Sequence, residues 1–144
     1  MNIDIIGAGI GGLTTAIALE QKGIKTRIFE QAEQIKPVGA GIILANNAMQ
    51  VYEKLGLRKI IEENGNSVSS MNITKSNLNP LSKIDLSYFE QKHNTKNIAI
   101  HRGKLQQILI DKLKSTKINL NHKLTSIVEN TNGYDLKFEN GEQI

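Results

Sequence analysis

Three glycines near the N-terminus have the spacing of a phosphate-binding turn. Gly7, Gly9 and Gly12 form the pattern G-x-G-x-x-G, directly after the apolar run Ile3–Ile6 and at the start of a segment with helical periodicity. The first glycine permits a tight turn, the second lets the backbone approach a pyrophosphate, and the third allows the helix to pack closely on the strand. The phosphates would lie over N–H groups at the positive end of the helix, which also contains Ile10 and Gly11.

A single carboxylate lies at the distance that such a turn requires. Glu30 comes 23 residues after Gly7, at the end of a second predicted strand over residues 24–30, and Gln31 follows it. We expect the carboxylate to accept hydrogen bonds from adenosine ribose hydroxyls and to disfavour the 2′-phosphate of NADP. The alternative is an ordinary helix start with a surface acid, but the strand–turn–helix context favours a dinucleotide site. FAD and NAD both contain an ADP half, and the spacing alone does not separate them.

The surrounding pattern predicts an α/β fold built on a Rossmann-like βαβ unit with a parallel sheet. Strand, turn, helix and strand follow one another within the first thirty residues, and such a unit closes with a right-handed crossover. Asn132-Gly133 and Asn140-Gly141 flank a six-residue strand and predict an antiparallel β-meander over about 124–144. Further elements are predicted as antiparallel strands at 67–75 and 81–88, helices at about 47–55 and 103–115, and a short strand at 118–122.

Composition excludes several classes of function. The chain of 144 residues has a net charge of +4, and its basic residues are spread singly with few aromatics between them. We therefore expect no nucleic-acid binding. Cysteine is absent, and His93, His101 and His122 are too scattered for a metal site. No apolar run approaches the ~20 residues that cross a bilayer, and no signal peptide is recognisable, so we predict a cytoplasmic protein without a membrane partner. No catalytic residue is predicted.

Two segments beyond Glu30 resemble a known family. The stretch "PVGAGIILANNAMQVYEKLGL" resembles the loop and helix of flavin-dependent aromatic hydroxylases, the group that includes salicylate and p-hydroxybenzoate hydroxylases. Gly39-Ala40-Gly41-Ile42, Asn47-Ala48 and Leu55-Gly56-Leu57 match the family, whereas Asn46 replaces its proline. The stretch "IHRGKLQQIL" is similar to the family's His-Arg-x-x-Leu-x-x-x-Leu helix start, with matches at His101, Arg102, Leu105 and Leu109.

The resemblance implies FAD as the cofactor, with Gly39, Ala40 and Gly41 beside it and Arg102 in contact with it. It also implies that residues 1–66 and 97–144 form the FAD-binding domain, while 67–96 begin the sheet of a substrate domain. In this family NAD(P)H reduces the flavin, and O₂ is then used to hydroxylate an aromatic or similar small molecule.

The same resemblance predicts that the chain is the N-terminal portion of a longer enzyme. The family's later Asp-Gly and Gly-Asp motifs are absent, and the sequence stops inside the meander. We therefore expect weakened FAD binding, no turnover by this chain alone, and dimers or aggregates formed through exposed strand edges. Two alternatives remain open: another FAD- or NAD-dependent oxidoreductase, and a non-catalytic nucleotide-binding module.

Overall fold

The computed structural model describes residues 2–37, 39–131 and 133–144. The chain forms two compact units. The first unit contains residues 2–37 and 109–144, and the second contains residues 39–108.

The helices and strands follow one another along the chain in a mixed α/β order. They are β1 (Asn2–Ile6), α1 (Ile10–Glu20), β2 (Lys25–Phe29), β3 (Gly41–Leu44), α2 (Asn46–Lys54), α3 (Arg58–Glu63), β4 (Asn66–Ser67), β5 (Ser70–Thr74), β6 (Pro80–Asp85), α4 (Ser87–His93), β7 (Ile98–His101), α5 (Arg102–Lys112), β8 (Lys117–Asn119), β9 (Leu124–Asn130) and β10 (Gly133–Phe138).

The first unit contains the predicted βαβ arrangement. Strands β1, β2 and β8 form a parallel sheet in the order β1-β2-β8. Helix α1 connects β1 to β2 and buries Leu13, Ala16 and Ile17. The chain then turns toward β2 at Gly23, which adopts a φ of 72°, a left-handed conformation that glycine takes without steric cost. The prediction of a Rossmann-like α/β fold is confirmed.

An antiparallel meander completes the first unit. Strands β9 and β10 pair antiparallel, and Ile144 exchanges two backbone hydrogen bonds with Leu136, of 2.7 and 3.0 Å. Phe29 of the parallel sheet forms a buried cluster with Leu136 and Phe138. Asn132 lies outside the described residues, so the predicted turn at Asn132-Gly133 is described only from Gly133 onward.

The second unit is built on a small antiparallel sheet of order β3-β7-β4. Its α2 begins at Asn46, the residue that replaces the family's proline. The Asn46 backbone N–H donates to Asn97 Oδ1 (3.0 Å), and its side-chain Nδ2 donates to the Thr95 carbonyl (2.6 Å). Proline could make neither bond, because it has no backbone N–H and no side-chain donor. The buried apolar residues of this unit are Leu44, Met49, Tyr52, Leu55, Leu57, Ile61, Ile98, Ile100, Leu105 and Ile108.

Strands β5 and β6 pair antiparallel as a separate two-stranded sheet, as the sequence pattern predicts. The second strand is shorter than predicted, since Ser87 and Tyr88 belong to α4. Asp85 explains this difference: its Oδ1 accepts hydrogen bonds from the Ser87 N–H (2.9 Å) and hydroxyl (2.6 Å), a local turn that ends the strand. Among the described residues, no helix has the length and apolar character needed to span a membrane.

Candidate functional site

The glycine-rich turn between β1 and α1 has the geometry that its spacing predicts. Gly7 adopts a φ of +98°, and its N–H donates to the Phe29 carbonyl (2.8 Å), which joins the turn to the neighbouring strand. A Cβ built on Gly12 would lie 2.0 Å from the Gly7 carbonyl oxygen. Gly12 therefore allows α1 to approach β1 more closely than any other residue would.

Gly9 and Gly11 face open space at the start of α1. A Cβ built on either residue meets no heavy atom within 4 Å. Gly9 is the N-cap of α1, with no side-chain cap and no acidic residue in the first turn. The first N–H groups of an α-helix have no intrahelical acceptor, and the helix dipole makes this end positive. The turn thus offers an uncrowded backbone surface suited to an anion.

Glu30 lies beside this turn and is bonded to it. Its Oε2 accepts a hydrogen bond from the Ala8 N–H (2.7 Å), within the glycine motif, and its Oε1 accepts one from the Ala32 N–H (3.0 Å). A carboxylate has about four acceptor positions, so these two bonds leave capacity for further donors. The carboxylate holds the turn against the end of β2, a structural role that the sequence pattern does not reveal.

A cavity of about 430 Å³ opens next to Glu30. Gly7, Glu30 and Gln31 line it. The other lining residues are Ile6, Phe29, Leu124 at the start of β9, and His122 and Lys123 of the turn that follows β8. Sequence reasoning did not include His122–Leu124 in the site. The order of the strands could have indicated these residues, because the carboxyl ends of adjacent parallel strands meet at one edge of a sheet, where ligands bind in α/β folds.

The other predicted residues come together within the second unit. Gly39 has a φ of +116°, and a Cβ there would lie 3.2 Å from Arg102 Cδ. The Arg102 N–H donates to the Ala40 carbonyl (3.2 Å), and Gly41 pairs with His101 across β3 and β7. Arg102 begins α5, as the resemblance predicts. The structure therefore places Gly39, Ala40 and Gly41 against the start of the helix that carries Arg102.

Comparison with known protein families shows the family to which the chain belongs. Residues 1–143 match the model of a family described as the FAD binding domain. The chain belongs to this family. The prediction of FAD, rather than NAD, as the cofactor is thereby confirmed, as is the resemblance to FAD-dependent hydroxylases.

Relatives of known activity share about three residues in ten with this FAD-binding chain. It is 29% identical over 143 residues to the aurachin C monooxygenase/isomerase of Stigmatella aurantiaca, a match that covers 99% of this chain and 37% of that protein. It is 29% identical over 150 residues to the FAD-dependent urate hydroxylase of Klebsiella pneumoniae, and this match covers 98% of this chain and 37% of that protein. It is 30% identical over 144 residues to the 3-amino-4-hydroxybenzoate 2-monooxygenase of Streptomyces cremeus, and this match covers 98% of this chain and 36% of that protein.

Two solved structures superpose well on the chain. A variant of Klebsiella pneumoniae HpxO complexed with FAD matches with a TM-score of 0.84 at 25% identity, over 100% of this chain and 37% of that one. The p-nitrophenol 4-monooxygenase PnpA of Pseudomonas putida matches with a TM-score of 0.85 at 16% identity, over 99% and 38%, and so supports the fold alone. The chain spans a little over a third of the length of these relatives.

Proposed function

We propose that the first unit binds the ADP half of FAD at the glycine-rich turn. The pyrophosphate would lie over the first turn of α1, with the ribose hydroxyls at Glu30 and the adenine in the adjoining cavity. The observation that carries the proposal is the open space at Gly9 and Gly11, which a Cβ would enter without meeting the protein. Charge-assisted hydrogen bonds to Glu30 would each contribute roughly 1.5–3 kcal/mol.

We also propose that Arg102, with Gly39, Ala40 and Gly41, contacts the cofactor. A guanidinium offers a planar array of donors that matches phosphate or flavin oxygens, and its charge is permanent. The Arg102 side chain lies against Gly39, whose missing Cβ leaves room for it. The family resemblance at His101-Arg102 supports this assignment.

The activity proposed for the longer protein is hydroxylation of an aromatic or similar small molecule, with NAD(P)H and O₂ as co-substrates. The names of the relatives support this class, since they include hydroxylases and monooxygenases of urate and of a substituted benzoate. Bound FAD would supply the redox chemistry. The residues of this chain would bind and orient the cofactor, and none of them is assigned to a catalytic step.

The domain assignment made from the sequence is retained as a proposal. Residues 1–66 and 97–144 would belong to the FAD-binding domain, and residues 67–96 would begin the substrate-domain sheet. In support of the latter, β5 and β6 carry exposed apolar residues, Met71, Ile73 and Ile84. A two-stranded sheet with an uncovered apolar face is only marginally stable alone, so it favours a larger sheet.

We further propose a cytoplasmic protein that associates through exposed strand edges. Strands β1 and β8 are the two edges of the parallel sheet among the described residues, and unpaired edges invite pairing with a second chain. Light scattering during size-exclusion chromatography should detect dimers or larger species. A monodisperse monomer over a wide concentration range would contradict this part of the proposal.

Titration with FAD, followed through quenching of flavin fluorescence, tests the binding function. We expect saturable quenching that ADP reverses by competition. Glu30→Gln should weaken binding about tenfold, because it removes the charge from the ribose acceptor. Glu33→Gln is the matched control, an exposed acid three residues further on. A folded protein that shows no saturable quenching would refute the proposal.

A further inference from the structure

The turn after β8 forms one wall of the cavity beside Glu30. Two backbone hydrogen bonds hold it against the segment that follows β2: the His122 N–H donates to the Glu30 carbonyl (2.8 Å), and the Asn121 N–H donates to the Ala32 carbonyl (3.1 Å). Asn121 itself has a φ of +59°, which Asn tolerates better than most residues. The position of this wall is thus linked to the backbone of Glu30.

The His122 imidazole lies inside this turn against two aromatic rings, Phe29 and Phe138, which stack on each other. Its centroid is 5.4 Å from that of Phe29 and 5.0 Å from that of Phe138, with an edge-on arrangement toward Phe138. The side chain is only 13% exposed. Such contacts restrict the ring to one orientation and fix the direction of its two nitrogens.

Both ring nitrogens of His122 face acceptors. Nδ1 lies 2.5 Å from the Leu120 carbonyl oxygen, and Nε2 lies 2.8 Å from Glu142 Oε2. A neutral imidazole has a single N–H and can donate to only one of them, whereas the imidazolium donates to both. The arrangement therefore selects the charged form of His122.

The charges around His122 favour the same form. The Leu120 carbonyl raises the pKa of His122 above its ordinary value of 6.5, burial opposes this, Glu142 raises it further, and Lys117 lowers it. The Arg27 guanidinium lies over the Phe29 ring, 5.5 Å from its centroid, but it is paired with Asp4 through two hydrogen bonds of 2.8 Å.

Two further charged groups flank the turn. Lys123 is paired with Glu139 at 3.1 Å, so its charge is partly compensated. Glu30 faces the turn through its carbonyl, while its carboxylate is bonded to Ala8 and Ala32. Glu142 is therefore the acid that contacts the His122 ring.

We propose that the His122 imidazolium positions this wall of the nucleotide cavity, so that protonation of His122 strengthens FAD binding. This inference rests on the FAD site proposed above. Loss of the proton would leave one acceptor, Leu120 or Glu142, without its hydrogen bond and loosen the turn that carries the cavity lining. His122 is a positioning residue, and it takes no part in chemistry.

The direction of the pH effect follows from the raised pKa. The imidazolium predominates below pH 6.5 and is lost as the pH rises through the raised folded-state pKa. FAD affinity should fall over the same range. By reciprocity, bound FAD must raise the pKa of His122 by the matching factor.

The test is an FAD titration from about pH 5.5 to about pH 9, a range in which histidine changes charge. For the natural chain we expect the dissociation constant to rise about fivefold as His122 loses its proton, at the low end of typical couplings. His122→Phe keeps the aromatic contacts but cannot titrate, so its profile should be flat. Glu142→Gln should move the transition to lower pH, and it serves as the test if His122→Phe does not fold.

Two further measurements make the result decisive. NMR of the histidine ring protons should show a higher His122 pKa with FAD than without it. His93→Phe, an exposed histidine on α4, should keep the natural pH profile. The inference is overturned if His122→Phe retains the pH dependence, or if FAD leaves the His122 pKa unchanged. Binding that is independent of pH overturns this inference alone, whereas no binding at any pH overturns the proposed function and this inference with it.

Discussion

Gly9 and Gly12 belong to one motif but have separable roles at the scale of single residues. A Cβ on Gly9 would occupy open space, and its φ of −73° suits any residue. Gly9→Ala should therefore change the free energy of unfolding by no more than about 1 kcal/mol, the size of a typical N-cap effect, while it weakens FAD binding about tenfold or more, because the methyl group takes the place of the pyrophosphate.

Gly12→Ala, unlike Gly9→Ala, should cause a large loss of stability. Its Cβ would lie 2.0 Å from the Gly7 carbonyl oxygen, so the backbone of the turn must shift. We expect a loss of about 3 kcal/mol in unfolding free energy, at the upper end of typical overpacking costs. Urea unfolding and FAD titration of both variants provide the check. Equal stability of the two variants would contradict this division of roles.

The sequence predicts some site residues and misses others for physical reasons. Gly7, Gly9, Gly12 and Glu30 are separated by fixed numbers of residues within one βαβ unit, so spacing alone identifies them. His122 enters the site only because β8 pairs beside β2, a long-range pairing that no local pattern encodes. The hydrogen bond that Glu30 accepts from the turn is also absent from the pattern, because it depends on the backbone conformation of Ala8.

At the scale of elements, Glu20 connects the end of α1 to the start of β8. Its carboxylate accepts hydrogen bonds from the N–H groups of Lys114 (3.0 Å), Ser115 (2.9 Å) and Thr116 (2.6 Å), and from the Ser115 hydroxyl. Burial raises the pKa of Glu20, but hydrogen bonds from the Thr116 side chain and from the N–H groups of Lys114, Ser115 and Thr116 outweigh burial and lower the pKa from 4.5 to about 2. The ionised carboxylate therefore stabilises the contact between the end of α1 and the segment that leads into β8.

Glu20→Gln should destabilise the first unit at neutral pH and have little effect in acid. The contribution of Glu20 is complete above pH 4.5 and is lost as the pH falls toward about 2. Because solvent screens this partly exposed carboxylate, we expect it to contribute about 1 kcal/mol to the free energy of unfolding. Urea unfolding of the natural chain and the variant at neutral and acid pH measures the difference. If the difference in unfolding free energy between the two proteins were as large in acid as at neutral pH, the ionised carboxylate of Glu20 would not be its source.

Asn46 has a comparable role at the start of α2 in the second unit. Asn46→Ala removes the buried bond from Nδ2 to the Thr95 carbonyl and leaves that oxygen without this donor. We expect a loss of about 1–3 kcal/mol, measured by thermal or urea unfolding. Asn47→Ala, an exposed neighbour, is the control and should lie within about 0.5 kcal/mol of the natural chain.

At the scale of the whole molecule, the sheet of β5 and β6 has one apolar face that the described residues leave exposed. Met71, Ile73 and Ile84 alternate with polar residues along the two strands, and Ile73 is 49% exposed. Exposed apolar patches of this kind mark contact surfaces.

Ile73→Lys should reduce association through this apolar face, which is distinct from pairing through the edges of β1 and β8, without loss of stability. We expect a change of less than about 0.5 kcal/mol in unfolding free energy, because the side chain is half exposed. Light scattering over a range of concentrations should show fewer large species than for the natural chain. Asn72→Lys adds the same charge on the opposite face and should leave association unchanged. A large loss of stability in Ile73→Lys would show that the chain itself buries this face.

The fold could be predicted from the sequence where local patterns dominate. The βαβ unit, the paired strands β5 and β6 and the meander follow from periodicity and turn residues. Helices α3 and α4 were missed because they are short, with six and seven residues, and too brief for a periodic pattern. The placement of β7 between β3 and β4 was also beyond local reasoning, since it joins strands far apart in the chain.

The central claim is that the first unit holds the ADP half of FAD at its glycine-rich turn. Amide chemical shifts of the isotope-labelled chain, measured by NMR during titration with ADP, test it most directly. We expect saturable shifts at Gly7, at the first turn of α1, at Glu30 and Gln31, and at the turn that contains His122, with β5 and β6 unaffected. Shifts confined to other parts of the chain, or none at saturating ADP, would contradict the claim.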